Sequence, residues 1–544
     1  MIMFLYFYLI AFSLVGYGFI TCKYLKIQTL NFGVLGLIGI ISLALISFGT
    51  SLFIKHGQIF NFLILTLGII FLILNLGKIK NVKKEIISTF LVFTFLLIFI
   101  TVGKNHDDFP YYHFSYIQLL TDYPHPYGLG QLNNGFRSPS SIFFISSIFF
   151  LPKIEIFLFH ISPALILGFA NIIFLKNIFD KEKFKKQKMI SFLNIIFFSF
   201  VNVFFYRLAE HGTDRSGMIL TFLSITCLIS LIDSKNLNSY KKNEELMKIM
   251  LIFFCFAITI KPYFFVNFLF ILPLIFFKLL RKVFFDLFFS RTFYFCIILI
   301  FFITFYTFIN SGCLIFPLIF TCFESLSWSF EKEVISQVKI WFELWSKGGA
   351  NPNFVVDDRV GYISGLNWLP NWIENYFFNK VLDFLAGLLF LSLIIFFTFF
   401  TKRNLKNFKS NNIWFIYSLI VILLVEWFLK HPSLRYGGYH LFALLLFIPL
   451  SLKLSSFNID YNFFIRRSLI LVLIVINIFF IRNLIRLNDE NSLYGYNPIK
   501  NTNYKFIGGD KDFYYRYNKH IKDNFENFKT LKLIGSKNII IKVD

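Results

Sequence analysis

About a dozen apolar runs of roughly 20 residues each, separated by short polar stretches, constrain this chain more than any other feature. A hydrocarbon core about 30 Å thick is crossed by roughly 20 helical residues at about 1.5 Å each. On that measure, spans are expected near 2–21, 32–54, 58–77, 86–102, 154–175, 189–207, 216–233, 292–310, 378–400, 412–429, 438–455 and 467–482. The apolar stretch 250–277 is too long for one span and is broken at Lys261-Pro262, so two short helices in a hairpin are expected there. The run 140–151 is too short to cross and reads as a re-entrant or interfacial helix. With 57% apolar and 15% charged residues over 544, a soluble domain is excluded. The fold class is all-α, a polytopic transmembrane bundle of about 12 to 14 spans. Residues 1–482 form the membrane domain, and 483–544 a small tail in which no chemistry is visible.

The formal charge of +23 does not point to nucleic acid, because the lysines and arginines stand in short clusters between apolar runs. Lys78, Lys80, Lys83 and Lys84 form one cluster, the six lysines from Lys176 to Lys188 another, and Lys402, Arg403, Lys406 and Lys409 a third. Such clusters mark cytoplasmic loops. Counting outward from them places 103–140, 208–215, 311–375, 430–437 and the tail on the opposite side, with Lys261 at the hairpin tip. No CxxC or Cys/His ligand spacing occurs; Cys313 and Cys322 would pair if their loop is extracytoplasmic.

The polar residues that are not in lysine clusters therefore gather on one face. His106-Asp107-Asp108-Phe109-Pro110-Tyr111-Tyr112-His113 follows directly on a span. Adjacent carboxylates there can serve as a general base or hold a divalent cation, or merely cap backbone donors in a solvated loop. The next stretch, 123–141, carries three prolines and three glycines and includes Arg137; it is either a specified loop packed against the membrane domain or a turn-rich connector. Glu210, His211, Asp214 and Arg215 follow in the next outer segment, then Lys261, then Arg435. A lysine inside an apolar stretch is costly unless it has a task or snorkels to the interface.

These motifs, in this order, resemble the GT-C superfamily of polytopic glycosyltransferases, which includes protein O-mannosyltransferases and lipid A aminoarabinose transferase. The motifs are the Asp-Asp loop, Gly128-Leu129-Gly130-Gln131-Leu132-Asn133-Asn134-Gly135-Phe136-Arg137-Ser138, Glu210 to Arg215, Thr259-Ile260-Lys261-Pro262, Asn310 to Pro317, and Pro432-Ser433-Leu434-Arg435-Tyr436. The likeness covers roughly 86–455 and lies in motif order rather than long identity. It implies an inverting transferase in a bacterial inner membrane, active at the periplasmic face, that takes a sugar from a polyprenyl-phosphate donor. Asp107 or Asp108 would match the base and Asp214 a second acidic position. Arg137, Lys261 and Arg435 would meet the donor phosphate, with His106, His113 and Glu210 also on the substrate side. The partners so implied are the lipid-linked donor and membrane lipids, without nucleic acid; no cofactor is assigned, and a divalent cation is the one group the adjacent carboxylates could hold.

In the outer loop 311–375, Phe330, Val334, Val338, Trp341 and Trp345 share one helical face, as expected of an amphipathic helix lying on the outer leaflet, and Trp368 and Trp372 extend an aromatic interface belt. The rival class is a transporter or lipid flippase, which would place charges at mid-membrane and show repeated broken helices. A surface-polysaccharide polymerase or ligase shares the donor type and differs in its acceptor. A cysteine introduced at Asn134 is expected to react with a membrane-impermeant maleimide from the extracytoplasmic side; reaction only from the cytoplasm would overturn the count.

Overall fold

The computed structural model describes residues 2–28, 31–79, 81–101, 108–232, 240–351, 353–401, 413–494, 529–533 and 537–541. Among them, 11 helices are long and apolar enough to cross a membrane, joined by two shorter apolar helices, Lys188–Phe204 and Pro262–Phe276. The protein is a multi-pass helical bundle.

Close helix crossings in the N-terminal layer depend on glycine. A methyl on Gly18 would lie 1.8 Å from the Leu35 carbonyl oxygen, and one on Gly39 would lie 1.7 Å from that of Leu14. These contacts let Ile2–Leu25 press backbone to backbone on Phe32–Ser51. Some of the polar groups inside the bundle pair with one another. The amides of Asn171 and Asn202 exchange hydrogen bonds of 3.0 and 2.9 Å between two helices. Buried His56 is held by Ser147 at 2.6 Å and Thr50 at 2.9 Å.

Several segments differ from the sequence reading. The span expected at 154–175 begins only at Ser162, because Pro163 sits in the first helical turn, and Ile154 to Ile161 form buried turns instead. Residues 208–215 are not a loop but the opening turns of the helix Leu208–Ile232, where Gly212 lets the helix meet Pro163. The run 140–151 contains the helix Ser141–Ser147, which is buried inside the protein and accepts hydrogen bonds from Ser47 and Asn61, so it is not interfacial. The hairpin at Lys261-Pro262 is present, with a longer first arm, Tyr240–Ile260; Phe254 stacks on Phe270 of the returning segment. Within 103–140, the helix Phe114–Asp122 is buried almost throughout. Beyond the helical bundle, Lys529–Leu533 and Lys537–Ile541 of the tail pair as a two-stranded antiparallel ribbon.

The proline- and glycine-rich stretch 123–137 has a specified shape. Gly128, at φ +81°, donates its amide to the Ile309 carbonyl at 2.7 Å. The Asn310 amide donates to the Phe136 carbonyl at 2.8 Å and to the Tyr116 hydroxyl at 3.1 Å. A methyl on Gly130 would come within 2.5 Å of the Asn310 carbonyl oxygen. The stretch is thereby docked on the end of the helix Arg291–Ser311.

Gly39→Ala is expected to destabilise the protein by about 1 to 3 kcal/mol through overpacking. Gly49→Ala, where a new methyl meets nothing within 4 Å, is expected to leave stability unchanged or slightly raised. Thermal unfolding of the two variants in detergent would distinguish them.

Candidate functional site

Four chain segments far apart in sequence end at one place. Asp108 stands at the start of a wide helical turn, Phe109–His113, of the kind found often at functional sites. Asp214 is carried by the opening turns of Leu208–Ile232. Pro262 forces the preceding residue out of helical geometry, so Lys261 adopts φ −150° and ψ 125° and the helix Tyr240–Ile260 ends there. Arg435 lies on the short turn Leu434–Tyr436, closed by Gly437 at φ +117°.

Arg435 joins the four. Its Nε donates to Asp214 Oδ2 at 2.5 Å, and its Nη2 donates to Asp108 Oδ2. Lys261 Nζ lies 3.9 Å from the other Asp214 oxygen. The side chain of Asp214 is 5% exposed, whereas Asp108, Lys261 and Arg435 are 23%, 25% and 31% exposed. Asp214 is thus the interior strut, and the other three keep an open edge. Burial works against the Arg435 guanidinium's charge, but Asp214 and Asp108 outweigh it and hold the group protonated well above its ordinary range. Two carboxylates and two cations leave the cluster neutral, which lowers the cost of burying it.

Tyrosines line the cluster. Tyr112 is buried against Asp108 and Arg435, and burial followed by the Asp108 charge pushes its phenol up. Burial lifts the Tyr436 phenol to about 12, opposed by Arg435 and Lys261. Both are therefore neutral hydroxyls at physiological pH.

The turn bearing Arg435 is fixed residue by residue. The Trp372 indole donates to the Pro432 carbonyl and the Trp427 indole to the Ser433 carbonyl, each at 2.8 Å. The Leu434 amide donates to the Tyr376 hydroxyl at 2.9 Å, and the Tyr263 hydroxyl donates to the Arg435 carbonyl at 3.2 Å. A guanidinium so mounted is oriented before any ligand arrives.

The other expected site residues lie elsewhere. Arg137 sits over the Phe330 ring at 4.0 Å and is outside the ionic cluster; burial lowers its guanidinium to about 10. His113 is buried against the rings of Tyr112 and Phe143. His106 and Asp107 fall outside the described residues, and Glu210 is on the Leu208–Ile232 helix with no side-chain placement to describe. Among the described residues, no group of three or more His, Cys, Asp or Glu side chains stands close enough to hold a metal ion.

The amphipathic helix is Lys332–Lys347, but its predicted stripe does not simply face lipid. Phe330 is buried, Val334 and Val338 pack on the Cys313/Phe316 cluster, and only Trp341 of the five is exposed. Trp345 meets the Tyr436 ring at 5.4 Å, so the helix lies beside the cluster as well. Trp368 and Trp372, expected in an interface belt, are buried, because their indoles are needed as donors. Cys313 and Cys322 are disulfide-bonded. Sequence reading did not single out Tyr376, Trp427 or Tyr263, and it named Trp372, Tyr112 and Tyr436 without a place beside the cluster. Their only signal was aromatic character at helix ends, which interfacial anchoring also produces.

Fold and site together define a multi-pass helical membrane protein with a charge-neutral acid–cation cluster where its helices end. The chain belongs to the family described as a domain of unknown function (DUF8201), whose model matches residues 1–442 and so includes all four members of the cluster. No curated protein and no solved structure matches the chain.

Replacing the bridge should expose the cost of the buried carboxylate. Arg435→Leu is expected to lose about 3 kcal/mol, since it removes the cation hydrogen-bonded to Asp214 and leaves Lys261 at 3.9 Å. Asp214→Asn in that background should recover part of the loss, and strictly additive effects in thermal unfolding would sink the bridge.

Proposed function

We propose that the protein is a GT-C-type membrane glycosyltransferase that moves a sugar from a polyprenyl-phosphate-linked donor to an acceptor hydroxyl at the periplasmic face of a bacterial inner membrane. One observation carries this reading: the guanidinium of Arg435 holds Asp108 on an open edge while Asp214 fixes it from inside. A donor phosphate competes with Asp108 for that guanidinium. Its arrival therefore frees a carboxylate beside the sugar and binds the leaving group in the same movement.

The acceptor oxygen then bonds the anomeric carbon and its proton passes to Asp108. The bond from that carbon to the phosphate oxygen breaks, and polyprenyl phosphate leaves with the electron pair, held by Arg435 and Lys261. Asp214 touches neither reactant; it is a positioning residue that keeps Arg435 and Lys261 aimed. The Cys313–Cys322 bond supports the extracytoplasmic side, where disulfides persist.

Purified protein supplied with a panel of undecaprenyl-phosphate sugars tests the proposal. Asp108→Asn is expected to lower kcat by about 100- to 10,000-fold. Asp214→Asn is expected to lower it by about 100-fold through misplacement of Arg435. Asp107→Asn, run beside them, separates the two adjacent carboxylates. Full turnover by Asp108→Asn overturns the assignment of the base, and absence of donor binding favours the transporter class.

A further inference from the structure

The loop Cys313 to Cys322 is separate from the ionic cluster and is built for an apolar surrounding. From Cys313 to Phe323 the chain reads Cys-Leu-Ile-Phe-Pro-Leu-Ile-Phe-Thr-Cys-Phe, without one charged residue. The disulfide closes it at its base. It presents two faces. Phe316 and the disulfide turn inward with Phe330 and Ile335, against the Lys332–Lys347 helix. Leu314, Ile315, Phe320 and Phe323 turn outward and are exposed, Phe320 at 85%.

Much of this backbone is bonded within the loop. The Leu314 amide donates to the Thr321 carbonyl at 3.0 Å, the Leu318 amide to the Ile315 carbonyl at 2.8 Å, and the Thr321 amide to the Leu318 carbonyl at 2.9 Å. The Cys322 amide donates to the Ile319 carbonyl at 3.1 Å and the Phe323 amide to the Gly312 carbonyl at 2.9 Å. The Thr321 hydroxyl donates to the Leu318 carbonyl at 2.8 Å and accepts from the Ile315 amide at 3.1 Å. Internal pairing of these backbone groups lowers the cost of placing the loop at the edge of the hydrocarbon layer.

The loop's position agrees. It leaves the end of Arg291–Ser311, a candidate span of 21 residues, which reaches about 31 Å and so brings the loop to the boundary of the hydrocarbon layer. Tyr294, Ile297, Ile298 and Phe301 of that helix are exposed at helical spacing, an apolar stripe suited to lipid, and the exposed apolar residues of the loop follow where this helix ends.

We infer that the disulfide-closed loop 313–322 dips into the acyl chains of the leaflet at which Arg291–Ser311 emerges, and tethers the Lys332–Lys347 helix to the membrane surface. The occupant of its outer face is bilayer lipid. The inference is independent of the proposed reaction.

The test uses the full chain reconstituted in phosphatidylethanolamine/phosphatidylglycerol vesicles with the photocrosslinker of Phe320→p-benzoylphenylalanine. Phe301→p-benzoylphenylalanine marks the lipid-facing span, and Glu331→p-benzoylphenylalanine marks the exposed start of the adjoining helix. After irradiation and digestion, mass spectrometry is expected to find lipid adducts at 320 within about twofold of those at 301. Adducts at 320 no more frequent than at 331, with 301 labelled, overturn the inference, as does capture of a second copy of the chain at 320 in place of lipid. Phe320 makes no core contact that its replacement would break, so loss of folding does not confuse the outcome.

Discussion

The need to neutralise charge at the ends of apolar helices organises the functional end of this protein. Arg435 meets that need by donating to two carboxylates from different parts of the chain, one interior and one at an open edge. An isolated Asp214 at this depth would be strongly unfavourable, and the guanidinium's fork supplies what it lacks in a fixed geometry. Lys261 completes the balance from a third segment. Remove the arginine and the segments that carry Asp108 and Asp214 lose their common partner.

The rest of the local structure holds that fork still. Two indoles, two tyrosine hydroxyls and a left-handed glycine fix the turn 432–437 from every side. The Trp345–Tyr436 contact ties the outer helix to the same turn, and Phe330 of the same outer region covers Arg137. The outer helix therefore lies against the turn that carries Arg435. The disulfide-closed tip of the outer loop extends the contact from the site to the lipid surface.

Sequence reading and structure part company for identifiable reasons. The expected loop at 208–215 is helical because Gly212 fits against Pro163, a tertiary contact with no local signature. The expected stripe on Lys332–Lys347 divides between the disulfide cluster and the site, since helical periodicity reports that a face is apolar but not what covers it. The tryptophans assigned to an interface belt, Trp368 and Trp372, are buried, with each indole donating to a backbone carbonyl inside the protein rather than to water. Arg137 reads like Arg435 in sequence, and only its ring partners show that it stands apart.

The sequence by itself determined that this is a multi-pass helical membrane protein, where the helix Tyr240–Ile260 must break, and that acids and cations collect near the ends of apolar runs. Those properties follow from run length, proline geometry and the cost of charge in hydrocarbon, all of them local. Only the tertiary structure decided that Asp108, Asp214, Lys261 and Arg435 are one cluster, which carboxylate is interior, and which aromatic groups hold the turn. Pairing between residues 327 positions apart, as Asp108 and Arg435 are, depends on how helices stack, and stacking is set by side-chain packing that no stretch of sequence contains.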